Sequence, residues 1–149
     1  MENFKLPDLA KYNSDKEFTE IFIDGASRGN PGSSSIGIVI KDSSGNSHKL
    51  KKYLGILTNN QAEYQALIAA LKYAKKLKKT NLKIHTDSLL LANQINNIWK
   101  VRHPDIKILH KEAVKLISNF NKVDMYHIPR FLNEEADMLA NEALDDYHS

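Results

Sequence analysis

Four carboxylates stand where the sequence predicts that strands or helices begin or end. Asp24 closes the short apolar run Ile-Phe-Ile before a glycine-rich turn, and Asp87 closes another apolar run. Glu63 and Asp137 each fall in the first turns of a predicted helix. Because clustered carboxylates repel one another, such a group needs divalent cations or a basic partner. Oxygen ligands without cysteine favour Mg²⁺, with Mn²⁺ as a substitute.

Such a cluster suits hydrolysis of a phosphodiester bond. Two ions about 4 Å apart can activate a water and stabilise the leaving oxygen of an in-line displacement. Asp24 and Asp87 would meet at one edge of the sheet if their strands were parallel neighbours, which a crossover helix between them favours. Taken alone, each acid also fits an ordinary helix cap or surface charge. The prediction therefore depends on the occurrence of all four at strand ends or in the first turns of helices.

The elements that must position these acids follow from the hydrophobic pattern, which changes from β-favouring runs to helical spacing at Thr58. Predicted strands cover Ile21–Ile23, Ser35–Lys41, Ser47–Leu54, Asn81–Thr86 and Lys122–Ile128. Predicted helices begin at Thr58, follow Ser88 to about Trp99, run from Ile106 to Phe120 and cover Asn133–Tyr147. This order predicts an α/β protein with a mixed sheet flanked by helices.

The composition is that of one globular domain. The 149 residues include no cysteine, which excludes disulfides, thiolate metal sites and a cysteine nucleophile. No apolar run approaches the roughly 20 residues that span a bilayer, and no signal peptide is recognisable, so we expect a cytoplasmic protein without a membrane partner. We interpret residues 1–18 as an N-terminal extension and residues 19–149 as the domain, with a monomer as the default. The net charge of +3 is too small to indicate nucleic-acid binding by itself.

Four stretches carry the acids in order along the chain: Asp24-Gly-Ala-Ser-x-Gly-Asn-Pro-Gly32, Thr58-Asn-Asn-Gln-Ala-Glu63, Thr86-Asp-Ser88 and Asn133-x-x-Ala-Asp-x-Leu-Ala140. Together they resemble the four motifs of type 1 ribonuclease H. The resemblance implies the ribonuclease H-like fold, whose five-stranded mixed sheet has three antiparallel strands and then two parallel ones. It implies endonucleolytic hydrolysis of the RNA strand of RNA–DNA hybrids, leaving 3′-hydroxyl and 5′-phosphate ends, and so removal of RNA primers and R-loops. Matched residue by residue, Asp24, Glu63, Asp87 and Asp137 correspond to the family's catalytic, metal-binding acids.

The substrate side of the site is predicted from the need to recognise RNA. Polar groups must reach 2′-hydroxyls in the shallow minor groove, and the side chains of Asn30, Asn59 and Asn60 are suitable, as are backbone amides of the turn after Asp24. The family reads the two strands with the paired asparagines, although Asn59 and Asn60 also fit simple helix capping. Thr58, at a helix N-terminus, is placed for a DNA phosphate. The predicted substrate-binding residues are Gly25, Ser27, Asn30, Thr58, Asn59, Asn60, Ser88 and Arg130.

The chain departs from the family's pattern between its second and third helices. Many members carry a basic, tryptophan-containing handle there that grips the hybrid, whereas this chain has only Trp99-Lys-Val-Arg-His-Pro104. Lys100, Arg102 and the lysines of the third strand are the candidate substitutes.

A second departure concerns a histidine that many members carry in a mobile loop before the last helix. His127 has the matching offset and is a candidate catalytic residue, yet it falls at a predicted strand end. Arg130 is an alternative contact for the scissile phosphate. We interpret His85, which lies within a strand, as structural.

Three other functions compete with a metal-dependent ribonuclease H. One is a hybrid-binding module of the same fold that has lost turnover, and another is a DNA-cleaving enzyme of the superfamily, such as a transposase or resolvase. A non-enzymatic interaction domain explains none of the four motifs. The second type of ribonuclease H and the proofreading exonucleases carry different first motifs, and the Gly-Ala that follows Asp24 argues against both.

Overall fold

The computed structural model describes residues 17–149, so all but the last two residues of the predicted extension 1–18 lie outside the described residues. The strands are β1 (Thr19–Gly29), β2 (Gly32–Lys41), β3 (Ser47–Leu57), β4 (Asn81–Thr86) and β5 (Lys122–His127). The helices are α1 (Asn59–Lys76), α2 (Leu89–Ile95), α3 (Pro104–Ile117) and α4 (Glu134–His148), with a short 3₁₀ helix at Arg130–Leu132.

The five strands form one mixed sheet in the order β3-β2-β1-β4-β5. The pairs β1–β2 and β2–β3 are antiparallel, whereas β1–β4 and β4–β5 are parallel. This arrangement confirms the predicted fold class. In the parallel register Ile23 lies opposite Thr86, so the next residues, Asp24 and Asp87, lie side by side just beyond the last parallel pair.

β1 is longer than the sequence predicts. The antiparallel ladder with β2 continues from Asp24, opposite Gly37, to Gly29, opposite Gly32. The expected glycine-rich turn directly after Asp24 is therefore wrong, because Asn30 and Pro31 alone connect the strands and the ladder can extend to their tips. α2 is shorter than expected and ends at Ile95.

Helices cover both faces of the sheet, and two glycines show how closely they approach. A Cβ at Gly25 would lie 2.3 Å from the carbonyl carbon of Ala62 in α1, and one at Gly37 would lie 2.1 Å from Ala136 O in α4. Asp24 pairs with Gly37, and neighbouring residues of a strand point to opposite faces, so α1 and α4 lie on opposite faces. Within residues 17–149, no helix is long and apolar enough to cross a membrane.

Apolar residues of the strands and of α1 form the core beneath the site. Ile21, Ile23, Leu82 and Ile84 from β1 and β4 are fully buried, as is Leu67 of α1. Burial of this much aliphatic surface on adjacent strands is the main force that fixes their register.

Ion pairs attach the acidic helix α4 to the antiparallel half of the sheet. Glu135 lies 2.8 Å from Lys49 Nζ and 3.6 Å from Lys41 Nζ. Lys51 Nζ lies 2.8 Å from Asp146 and 3.4 Å from Glu142. Two of the three lysines of β3 are therefore engaged by α4.

Candidate active site

Three carboxylates meet where the parallel pairing of β1 with β4 ends. Oxygen atoms of Asp24, Glu63 and Asp87 all lie within 4.8 Å of one another. The parallel register of β1 and β4 places the two aspartates side by side, and the first turns of α1 supply Glu63. Hard oxygen ligands this close together are the donor set that divalent cations of the Mg²⁺ type require.

Gly25 brings α1 close enough for Glu63 to join the two aspartates. No larger residue fits there, because a side chain would overlap the backbone of Ala62. The backbone N–H of Gly25 donates a hydrogen bond to the Glu63 carboxylate. The strand residue after Asp24 therefore both admits the helix and orients its acid.

Burial and mutual repulsion raise the pKa values of two acids of the cluster. Burial, followed by the charges of Glu63, Asp87 and Asp137, raises the pKa of Asp24 to about 9. Burial also raises the pKa of Glu63 to about 8, although the hydrogen bond from Gly25 opposes that change. In the absence of metal the two acids hold protons near neutral pH, and a divalent cation would displace those protons.

Asp137 lies beside this group at the start of α4. It contacts Asp24 closely enough to raise the pKa of that carboxyl by its charge and by a hydrogen bond. Asp137 Oδ1 also accepts a hydrogen bond from Asn141 Nδ2 at 3.3 Å, one turn further along the helix. The fourth predicted acid therefore adjoins the three-carboxylate cluster at its margin.

Asn133 contributes to the site in a way that the sequence reasoning missed. The sequence pattern indicates only that the last helix starts there, yet the side chain is buried, and Nδ2 donates to Ile23 O at 2.8 Å and to Asp87 Oδ2 at 3.4 Å. It thereby joins the N-terminus of α4 to both parallel strands. Its place four residues before Asp137 in the fourth motif is the signal that could have found it.

The predicted substrate residues divide between two adjacent cavities. A cavity of about 230 Å³ contains the three clustered acids together with Gly25, Asn59 and Arg130. A larger cavity of about 540 Å³ is lined by Asn30, Pro31, Ile56, Leu57, Thr58, Asn60, Gln61, His103, Asp105 and Ile106. The backbone N–H of Asn59 donates to Asn30 Oδ1 at 3.0 Å, which joins the two cavities at the N-terminus of α1.

Several predicted residues also have local partners within the fold. The Ser27 hydroxyl donates to Leu57 O at 3.1 Å and so ties β1 to β3. Thr58 Oγ1 accepts from Gln61 N in the capping box of α1, and Ser88 Oγ accepts from Leu91 N at the N-terminus of α2. Thr58 still lines the larger cavity, where its hydroxyl hydrogen is available to an acceptor.

Arg130 and His127, the two candidates for assisting the acids in catalysis, lie in different places. Arg130 lines the cavity that holds the acids, and its charge lowers the pKa of Glu63 against the effect of burial. His127 is exposed at the end of β5 and is absent from the lining of both cavities.

His85 occupies a row of aromatic side chains on the sheet. Its ring stacks on Phe22 at a centroid distance of 4.6 Å and on Tyr126 at 5.4 Å. Burial lowers its pKa, which favours the neutral ring. This placement agrees with a structural role.

Comparison with known proteins identifies the family. A family model described as reverse transcriptase-like matches residues 22–143. Ribonuclease HI of Halobacterium salinarum is 40% identical over 126 residues, which cover 84% of this chain and 63% of that protein. Ribonuclease H of Nitrosospira multiformis is 33% identical over 146 residues, covering 86% of this chain and 90% of the relative.

A solved structure extends the likeness to three dimensions. LC11-RNase H1 in complex with an RNA/DNA hybrid aligns at a TM-score of 0.83 and 36% identity, covering 88% of this chain and 99% of that one. The chain spans 63% of the length of the Halobacterium relative and 34% of three mycobacterial relatives that are 43% identical to it. With the fold, the acid cluster and these alignments in agreement, the chain belongs to the ribonuclease H family.

Proposed function

We propose that this protein is a metal-dependent endonuclease that hydrolyses the RNA strand of RNA–DNA hybrids and leaves 3′-hydroxyl and 5′-phosphate ends. The observation that carries the proposal is the approach of the Asp24, Glu63 and Asp87 oxygens to within 4.8 Å of one another, where the parallel pairing of β1 with β4 ends. The relative solved with an RNA/DNA hybrid, which covers 88% of this chain, supports the same substrate.

The residues present fit divalent metal ions. Asp24, Glu63 and Asp87 would hold them, with Asp137 completing the set at the margin, and we expect two Mg²⁺ ions, for which Mn²⁺ can substitute. When bound, such ions supply an activated water and stabilise the leaving oxygen. The raised pKa values of Asp24 and Glu63 support this assignment, because buried acids of like charge are stable as carboxylates only beside a cation.

The remaining residues of the site orient the acids and the substrate. The Gly25 N–H fixes one oxygen of Glu63, and Asn133 fixes one oxygen of Asp87. Arg130 brings a positive charge into the cavity and is our candidate contact for the scissile phosphate. His127 stays a predicted catalytic residue, for which we expect a smaller effect on cleavage.

Recognition of the hybrid is assigned to the N-terminus of α1 and its neighbours. Asn30, Asn59 and Asn60 carry short polar side chains next to the acids and are proposed to meet 2′-hydroxyls in the minor groove. Thr58 is proposed to bind a DNA phosphate, with Gly25, Ser27 and Ser88 contributing to the substrate surface.

Without the handle, the hybrid must be held by other cations. Lys49 and Lys51 are paired with α4, so we assign this task to Lys52, Lys100 and Arg102 together with the exposed ring of Trp99. We further propose that residues 19–149 form the ribonuclease H domain and that a monomer acts in the cytoplasm, removing RNA primers and R-loops.

The test is cleavage of a labelled RNA–DNA hybrid beside matched RNA–RNA and DNA–DNA duplexes, with Mg²⁺ or with EDTA. We expect metal-dependent cutting of the RNA strand of the hybrid alone, and loss of cutting in Asp87→Asn. Binding of hybrid without cutting by the wild type would identify a non-catalytic module, and cutting of the DNA duplex would identify a different nuclease of the superfamily.

A further inference from the structure

Tyr64 and Gln94 form a buried polar pair beneath the loop that joins α2 to α3. Tyr64 is fully buried, and Gln94 is 6% exposed. The Tyr64 hydroxyl donates a hydrogen bond to Gln94 Oε1 at 2.6 Å, and Gln94 Nε2 donates to the backbone carbonyl of Lys100 at 3.4 Å. The pair thus connects the centre of α1 to residues 96–103, which we call the α2–α3 loop.

The α2–α3 loop presents groups that suit a nucleic acid. Trp99 is 44% exposed, and Lys100 and Arg102 are exposed beside it. Cations attract the phosphate backbone, and an aromatic ring offers apolar and stacking contact to sugars and bases. The loop ends at His103, which lines the larger cavity together with Asn30 and Thr58, so it borders the surface assigned to the hybrid.

The two halves of this loop are fixed in different ways. In the first half, the backbone N–H groups of Ile98 and Trp99 donate to Asn93 O at 2.8 and 3.1 Å, and Asn97 adopts a left-handed φ of 61°. In the second half, the amide of Gln94 holds the carbonyl of Lys100 from below. Because a carbonyl only accepts, Gln94 must turn its NH₂ toward the loop, and the Tyr64 hydroxyl stabilises that orientation by donating to Oε1.

We propose that Tyr64 and Gln94 are positioning residues for binding of the hybrid. Gln94 holds the backbone of Lys100, and Tyr64 holds Gln94, so that Trp99, Lys100 and Arg102 face the substrate. The inference rests on the proposed function, and it assigns binding of the hybrid to a loop that is fixed from the core. Tyr64 directly follows Glu63 in α1, but within residues 17–149 no hydrogen bond joins either side chain to the acids, so their loss should weaken binding and leave the chemical step intact.

The first experiment compares Tyr64→Phe and Gln94→Met with the matched control Tyr73→Phe. Tyr73 lies on the same helix and is partly buried, and no hydrogen bond of its hydroxyl is found among residues 17–149. We expect each test variant to raise KM for the hybrid by roughly three- to tenfold, the size of one lost hydrogen bond, with kcat within about twofold of wild type. Filter-binding Kd values in EDTA should rise by the same factor, and the control should change neither quantity.

The second experiment repeats Tyr64→Phe in a Trp99→Ala/Arg102→Ala background. If Tyr64 acts through the loop, its effect on KM should vanish once the loop has lost these groups, which is a coupling that a merely structural role would not produce. Melting curves of all variants set an assay temperature at which each is folded, and Gln94→Met provides the same test should Tyr64→Phe be poorly stable.

The outcomes separate this inference from the proposed function. A wild type that binds hybrid without cutting it would overturn the proposed activity, while the Kd values would still test the positioning. An equal rise in KM in both backgrounds, or a fall in kcat with KM unchanged, would overturn the positioning role while the nuclease activity stood.

Discussion

Two groups of carboxylates in this molecule have different surroundings. One is the buried cluster where the pairing of β1 with β4 ends, and the other lies along the exposed face of α4. Glu135 of α4 faces Lys49 and Lys41, and hydrogen bonding to Lys49 lowers its pKa. Asp24 faces other acids in a buried setting, and its pKa is raised to about 9. The fold pairs these surface acids with lysines, whereas the buried acids face one another beside Arg130, and we propose that divalent cations from solution neutralise them.

This difference in surroundings indicates what each group of acids contributes to the stability of the fold. Exposed pairs such as Lys49–Glu135 join a helix to a strand and add little to stability, because solvent and salt screen them. The buried cluster opposes folding while no metal is bound, because its acids must take up protons when the chain folds near neutral pH. Substitutions in the buried cluster should therefore have larger effects than substitutions in the exposed pairs.

Asp24→Asn should reduce cleavage of the hybrid by more than about 100-fold, since it removes an oxygen ligand from the metal-binding cluster. In EDTA the same variant should melt at the same temperature as wild type or higher, because the amide is neutral without taking up the proton that folding imposes on Asp24 near neutral pH. The measurement is the initial rate of cleavage together with Tm in EDTA.

Glu135→Gln provides the matched control for Asp24→Asn, since it makes the same chemical change in a carboxylate that is paired with lysine. It should leave cleavage unchanged and lower Tm slightly. A marked loss of metal-free stability in Asp24→Asn would contradict the repulsion that we infer within the cluster.

The stability of the metal-free protein should fall as pH rises. The folded state keeps protons on Asp24 and Glu63 up to pKa values of about 9 and 8, whereas the unfolded chain releases them near pH 4. Their contribution is therefore complete below about pH 4 and is lost as pH rises to the folded pKa values, by at most about 1.4 kcal/mol per pH unit for each group.

The measurement for this prediction is Tm in EDTA from about pH 5 to about pH 8, where deprotonation of the folded state is costly. Mg²⁺ should raise Tm more at the upper end of this range than at the lower end, because binding requires the deprotonated acids. A flat or rising Tm in EDTA would show that the two acids are ionised without metal.

Lys49→Ala should lower Tm by no more than about 2 °C, and the difference should disappear in about 1 M NaCl, because the pair with Glu135 is exposed. Lys52→Ala on the same strand is the control, since Lys52 forms no ion pair within the described part of the chain. A salt-insensitive loss in Lys49→Ala would mean that its aliphatic stem, and not its charge, supports α4.

The sequence predicted the fold class because its strands and helices have distinct hydrophobic periods, and it made the four acids candidates because each follows an apolar run or falls in the first turns of a predicted helix. The length of β1 was not predictable, since the ladder beyond Asp24 depends on the small residues that β2 places opposite it. Pairing of Lys49 and Lys51 with α4 depends on contacts between segments about 90 residues apart, as the Lys51–Glu142 separation of 91 shows. The role of Gln94 emerges only from tertiary packing, because a lone amide in a sequence does not indicate burial, whereas the fourth motif could have pointed to Asn133.

Trp99 is the only tryptophan of the chain, and it lies in the α2–α3 loop. The intrinsic fluorescence of the unlabelled protein therefore originates mainly from the surface assigned to the hybrid. Approach of a nucleic acid would displace water from a ring that is 44% exposed and would change its emission. The fluorescence of Trp99 can therefore report the arrival of substrate, although Trp99 lies about 40 residues in sequence from Glu63 and Asp137. Its loop ends at His103, which lines the larger cavity.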